Sequence, residues 1–398
     1  MPDLGLLLLH LSVILLSGKL AGEIFERLKQ PAVIGEILVG LILGPSLLGY
    51  LSVQSPTSET LEILSQLGII ILLFLAGLTV SGEEFRRAGK PGLIVAATGT
   101  IASFLLGFAV ASLFGWTKIE AAFAGGVLVA TSVGVTVRTL LELGELHSRV
   151  GAIILSAAVI DDVFGIAVLS VLGGLTAGSF PPLGLVLTCL LMGFFFMLAF
   201  VTLRFMPSLF ERVENLRTEK STLAFSLSFA LLFSALAYKF KLAAITGAFF
   251  AGLALSGWRG AGKLREEISS IGYGFLIPLF FVWCGVKTDL HLVAGSLLAL
   301  FFLLISIANK IIGCGGGALL AGMGARDALR VGIGMIPRME VALIVASIGV
   351  SSGAVGPQLL SMTILVVIAT SLFTPFLLKR AFSPAESSKA GVPSHGQT

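Results

Sequence analysis

Long apolar runs and short polar breaks alternate along the whole chain. A run of about 20 apolar residues is long enough to cross a bilayer as an α-helix. Thirteen such spans can be drawn, at residues 3–26, 31–49, 60–80, 91–115, 119–140, 150–175, 182–204, 220–238, 242–257, 267–285, 290–322, 327–350 and 357–379. The eleventh is too long to cross upright and is expected to tilt, bend or run on into solvent. The eighth and ninth are divided only by "YKFKLAAITG". The first run, within "MPDLGLLLLHLSVILLSGKL", has no Lys or Arg ahead of it, and a cleaved signal peptide has a basic start. It reads as a retained first helix. The last residues, "AFSPAESSKAGVPSHGQT", are rich in Ser, Pro and Gly and read as a disordered tail with no soluble module. The predicted fold class is an all-α polytopic membrane protein.

Composition strengthens this reading. Of 398 residues 56% are apolar and 12% charged, and mean hydropathy is +1.03. A soluble domain is about a quarter charged. The net charge of +4 is therefore a matter of loops and gives no reason to expect nucleic acid as a partner. Nineteen of the 26 Lys and Arg residues, Arg138 among them, fall on one set of alternate loops and four on the other. The remaining three, Lys19, Lys310 and Arg338, lie inside spans. Basic loops stay in the cytoplasm. The bias predicts an outer N-terminus, a cytoplasmic C-terminus, and an odd number of spans in the cell (inner) membrane. The cysteines Cys189, Cys284 and Cys314 are far apart inside apolar runs, without disulfide or zinc spacing, and read as small core residues. There is no P-loop "GxxxxGK[ST]", so ATP has no visible place, and no cofactor or enzymatic chemistry is expected.

Against this background the charges inside spans stand out, because each costs a few kcal/mol or more to bury. Lys19 can snorkel from the end of span 1, and Glu36 can reach the interface from the start of span 2. Glu62 and Glu120 are interfacial. Asp161 and Asp162 in "LSAAVIDDVFGIAVLS" have no such escape, being flanked on both sides by about a dozen apolar or small residues. Neighbours on a helix point about 100° apart, so one carboxylate can face a cavity while the other meets a buried cation. Lys310 in "ISIANKIIGCGGGALLAG" is the first candidate for that cation and Arg338 the second. The bland alternative is a pair that only locks helices together.

Two spans look broken. Span 5 carries Thr131, Ser132, Gly134 and Thr136 in its interior. Span 12 contains Pro337, which lacks an N–H and frees a carbonyl, with Gly332, Gly334, Arg338 and Glu340 around it. The two are seven spans apart, which gives them opposite orientations and suggests an inverted repeat of spans 2–6 and 9–13. Paired broken helices in corresponding places are the best sequence pointer to a transport site; unrelated proline kinks are the bland reading. A midplane carboxylate holds either a proton or a small cation, and hydroxyls and freed carbonyls are ligands for a hard ion. Competition for one carboxylate makes an exchanger of cation against proton.

The stretches "VIGEILVGLILGPSLLG", "VATSVGVTV", "VIDDVFGI", "LIPLFFVWCGVKTDL", "ANKIIGCGGG" and "GMIPRMEVALIVA" together resemble the monovalent cation:proton antiporter-2 family. The likeness is to its NapA-type Na⁺/H⁺ antiporters rather than its Kef potassium-efflux proteins. The resemblance implies an NhaA/NapA-like fold of inverted repeats with two crossed discontinuous helices. It implies a homodimer in which a core moves against a dimerisation panel. On this sequence the panel falls on 1–85 and 219–286, the core on 86–178 and 287–380, a linker helix on 179–218 and the tail on 381–398. Asp162 then binds the cation, Na⁺, with Asp161 joining it and otherwise salt-bridged to Lys310. Thr131 and Ser132 lie in the ion site, and Pro337, Arg338, Glu340 and Gly134 support it. Met339 stands where many relatives have glycine.

The function expected is secondary exchange of Na⁺, with Li⁺ or K⁺ as alternatives, for H⁺ by alternating access. The charges Asp161, Asp162, Glu340, Lys310 and Arg338 leave one negative charge over, which one Na⁺ or H⁺ cancels. Release of a second proton by Lys310 would make exchange electrogenic. A competing reading is a cation-coupled symporter of an organic anion, with Arg338 as clamp. A passive channel lacks a TVGYG-like filter.

Overall fold

The computed structural model describes residues 4–176, 182–287 and 297–383, and these hold helices and turns without a strand. In chain order the helices are α1 (Leu4–Arg27), α2 (Ala32–Leu43), α3 (Ser58–Thr79), α4 (Gly82–Leu113), α5 (Lys118–Val129), α6 (Val133–Glu142), α7 (Arg149–Thr176) and α8 (Pro182–Val213). They continue as α9 (Ser221–Lys239), α10 (Ala244–Leu255), α11 (Ala261–Ile271), α12 (Ile277–Val286), α13 (Leu297–Leu320), α14 (Ala325–Gly334), α15 (Glu340–Ser351) and α16 (Gln358–Phe382). A π-helical turn, Gly272–Leu276, joins α11 to α12.

Ten helical stretches among the described residues are long and apolar enough to cross a membrane. The second and ninth expected spans are shorter, at 12 residues each in α2 and α10, and the twelfth is divided into α14 and α15. The eleventh is described only from Leu297; residues 288–296 and the tail from 384 lie outside the described residues. Helix α4 begins nine residues ahead of the span drawn at 91. There Ser81 and Glu84 form a reciprocal capping box, which satisfies free backbone N–H groups. Helix α16 runs through Phe382, taking in the first two residues of the expected tail, and the Phe382 ring lies 4.5 Å under the Arg330 guanidinium.

The short helices reveal an internal repeat. "AVIGEILVGLIL" of α2 aligns without gaps on "AITGAFFAGLAL" of α10, Gly35 with Gly247 and Gly40 with Gly252. The paired glycines do the same work. A β-carbon on Gly40 would strike the Val282 carbonyl oxygen of α12, and one on Gly252 the Phe74 carbonyl oxygen of α3. Gly285 and Gly77 return these contacts, against Ile37 and Phe249. Small residues let helix backbones touch, which is where helix packing in a membrane finds its contacts. Gly35 likewise meets the backbone of Ala21 in α1, and Gly247 that of Phe233 in α9. The repeat thus includes α1 and α9, one helix more per half than the sequence suggested. A β-carbon at position 252 has no room, whereas one at Gly262 meets open space. Gly252→Ala is expected to cost about 1–3 kcal/mol, read as a lower thermal midpoint of the purified protein, and Gly262→Ala nothing measurable.

Packing is dense within two groups of helices. One joins α1, α2, α3, α9, α10 and α12, with α8 laid on α9 and α10. The other joins α4, α5, α7 and α13, with α14, α15 and α16 around them. Contacts between the groups are sparser and run mainly through α6 on α3, α16 on α2 and α7 on α8.

Candidate ion-binding site

The break in span 5 falls at residues 130–132, where Ala130 and Ser132 are extended between α5 and α6. The break in span 12 falls at 335–339, around Pro337. The two breaks cross. The Ser132 N–H donates to the Pro337 carbonyl at 2.7 Å, and the Thr136 hydroxyl donates to the Gly334 carbonyl at 2.7 Å. The last carbonyls of a helix have no partner in their own helix and form its negative end. At the end of α5 buried cations serve them: Lys310 Nζ donates to Val129 O at 2.8 Å, and Arg338 Nη2 to Leu128 O at 2.7 Å. Arg338 also donates to Ile336 O at 2.8 Å and to Asn309 Oδ1 at 3.1 Å. Both cations have no exposed surface. Glu340 opens α15, but its side chain lies outside the described part of the structure.

Asp161 and Asp162 sit on α7 beside this crossing and point to different neighbours. Asp161 is 2% exposed. Its Oδ2 lies 3.3 Å from Lys310 Nζ, and its Oδ1 accepts from the Thr100 hydroxyl of α4 at 3.0 Å. Asp162 borders a pocket of about 500 Å³ and accepts from the Thr246 hydroxyl of α10 at 3.0 Å. The pocket lies between the two helix groups. Gln66, Tyr238 and Lys241 are exposed at its mouth, where Glu62 pairs with Lys287 at 3.0 Å and accepts from Trp283 Nε1 at 2.6 Å. Met339 lines it too. Ser371 Oγ, on its wall, and Thr131 Oγ1, in the break of span 5, are buried hydroxyl oxygens without a hydrogen-bond partner among the described residues. Gly134 is buried against Ile69 of α3. Of the cysteines, Cys314 is buried, Cys284 is half-buried on the pocket wall and Cys189 is exposed on the apolar helix α8, so the core reading fails for Cys189. Among the described residues no group of three or more His, Cys, Asp or Glu side chains could hold a metal ion. Carboxylate, hydroxyl and carbonyl oxygens are the kind of ligand a hard cation takes.

The chain matches the family model described as sodium/hydrogen exchanger, transmembrane, over residues 12–382. It belongs to the sodium/hydrogen exchanger family. Within its reach is the probable Na⁺/H⁺ antiporter GerT of Bacillus cereus, 35% identical over 94% of this chain and 98% of that one. The Na⁺/H⁺-K⁺ antiporter GerN of the same organism is 33% identical over 94% and 95%. The solved structure of the sodium proton antiporter MjNhaP1 from Methanocaldococcus jannaschii superposes with a TM-score of 0.70 over 94% of this chain and 96% of that one, at 16% identity, a likeness of fold.

This exchanger-family chain carries a second charged cluster that the sequence misrepresents. Arg138, taken for a loop cation, is 5% exposed, and Glu36, expected at the interface, is 1% exposed. Arg138 Nε lies 2.7 Å from Glu142 Oε1, its Nη2 3.8 Å from Glu36 Oε1, and its guanidinium 4.2 Å from the Tyr273 ring centroid. Glu142 also accepts from the Ala32 N–H at 3.1 Å. The cluster ties α6 to α2 and to the π-turn before α12, at the end of the helices away from the pocket mouth. Sequence reasoning also missed Thr100, Thr246 and Asn309. A lone threonine or asparagine in an apolar run carries no signal until the fold puts a carboxylate or a guanidinium against it.

Proposed function

We propose that this chain is a secondary antiporter exchanging Na⁺ for H⁺, with Asp162 as the ligand for which the two ions compete. The observation that carries this reading is a half-buried carboxylate, Asp162, on the wall of a pocket between two helix groups, beside an ion-paired Asp161–Lys310 couple at the crossing of two broken helices. The names of the relatives GerT and GerN support it. The group α4–α7 with α13–α16 is the moving core, and the group α1–α3 with α9–α12 is the panel. Thr131 and Ser132 lend the ion oxygen ligands from the broken helix, and Arg338 with Pro337 fixes the crossing. Asp161 leaves Lys310 to join the cation, and Lys310 gives up a proton, so that two protons move per Na⁺ and exchange is electrogenic. Everted vesicles with an imposed pH gradient test the reading. Addition of Na⁺ should dissipate the gradient, and a parallel series with Li⁺ and K⁺ ranks the cations; GerN's name makes K⁺ the one to watch. Uptake of a labelled organic anion, or current without proton movement, would contradict antiport.

By the bias of basic residues, the N-terminus is outside and the C-terminus cytoplasmic. The pocket mouth, at the ends of α9 and α12 and the start of α3, then faces outward, and the Arg138 cluster closes the inner side. The protein is a homodimer held through the panel. The face of α1 bearing Leu8, Leu9, Leu16 and Leu20 is exposed and apolar, and in the bilayer it meets lipid or a second copy. Cysteines introduced at Leu9 or Leu16 should crosslink between protomers in native-like lipid; a strictly monomeric protein would contradict the dimer.

A further inference from the structure

We propose that Thr246 is a positioning residue which holds the exchanger in the conformation where Asp162 faces the pocket. Its hydroxyl donates to Asp162 Oδ2 at 3.0 Å, and the side chain is 2% exposed. The bond joins α10 of one helix group to α7 of the other. Helix α10 cannot follow α7, because the close contacts of Gly252 with α3 and of Gly247 with α9 tie it to its own group. The internal repeat gives a control inside the molecule. The position of α2 that aligns with Thr246 is Ile34, so the repeat does not require a hydroxyl there. What Thr246 adds beyond an apolar residue is a donor aimed at the carboxylate.

The inference rests on the two-group, alternating-access reading given above. If α7 moves against α10, the Thr246–Asp162 bond exists in one conformation and not in the other. A contact made in one state alone shifts the equilibrium toward that state by its own worth. A hydrogen bond to a charged acceptor is worth a factor of about ten or more. Apparent affinity is the intrinsic affinity scaled by the fraction of molecules in the binding-competent state. Removing the donor therefore changes the two faces in opposite directions: Na⁺ binds more weakly at the pocket face and more tightly at the other. The ratio of the two apparent affinities moves by about tenfold whatever its starting value.

The test compares wild type with Thr246→Val, which keeps the shape and removes the donor, and Thr246→Ser, which restores it. Na⁺ dependence of exchange is measured from each face, in right-side-out and in everted vesicles. In parallel, modification of Cys284 on the pocket wall by a membrane-impermeant maleimide is followed by mass spectrometry, which does not depend on transport. Thr246→Val should shift the two apparent affinities oppositely and slow Cys284 modification from outside, and Thr246→Ser should return both toward wild type. Equal shifts at both faces, or an unchanged ratio with unchanged Cys284 modification, overturn the proposal while leaving the antiport reading intact. A wild-type Cys284 that is modified only from the inner face overturns the outward-facing reading and this proposal with it.

Discussion

An Asp162→Asn protein, inserted at wild-type levels and eluting as wild type does, is expected to exchange no Na⁺ for H⁺. Asparagine has nearly the volume of aspartate and keeps an oxygen that can accept from Thr246, so the wall of the pocket and the contact at 3.0 Å survive. The negative charge that the proposed mechanism uses to hold a cation is lost, and with it the proton released in exchange. Neither Thr131 nor Ser371, whose buried hydroxyl oxygens have no hydrogen-bond partner among the described residues, can replace a carboxylate as a proton carrier. The measurement is Na⁺-triggered dissipation of a pH gradient in everted vesicles. Exchange at anything near the wild-type rate would remove Asp162 from the centre of the mechanism.

Lys310→Gln is expected to be both less stable and electroneutral. Lys310 has no exposed surface and serves two acceptors, the Val129 carbonyl at 2.8 Å and Asp161 at 3.3 Å. Removing one partner of a buried ion pair costs about 3–5 kcal/mol, because the other is left uncompensated. The thermal midpoint of the purified protein should fall accordingly, and Asp161→Asn combined with Lys310→Gln should regain part of the loss. Without Lys310 its proton is gone from the cycle, and the proton from Asp162 is the one left to exchange. Membrane current recorded with Na⁺ exchange in proteoliposomes should vanish while exchange persists. Exchange that stays electrogenic at unchanged stoichiometry would leave Lys310 a structural counter-charge alone.

Much of this protein is legible in one dimension. Apolar runs of bilayer length become helices because a backbone in hydrocarbon must satisfy its own hydrogen bonds, and the run that begins at Leu4 or at Ser58 needs no knowledge of its neighbours. The cost of an isolated charge in such a run marks Asp161, Asp162, Lys310 and Arg338, and Pro337 marks a break because a residue without an N–H cannot continue the helical ladder. Tertiary structure decides what distance along the chain conceals. Arg138 and Glu36 read as residues near helix ends that could reach water; they are buried because α6 packs across α2 and the π-turn and closes the protein over them. Glycines 40, 252, 77 and 285 read as ordinary small residues, and only the crossing of α2 on α12 and of α10 on α3 turns them into contact points. Arg338 was legible as a buried cation but not as a cap, since its acceptors Leu128 and Asn309 are 210 and 29 residues away. Thr246 and Asp162 are 84 residues apart on helices of different groups. A hydrogen bond is short-ranged and directional, so its existence is a property of the packed helices, whereas the cost of burying a charge is already a property of the segment that carries it.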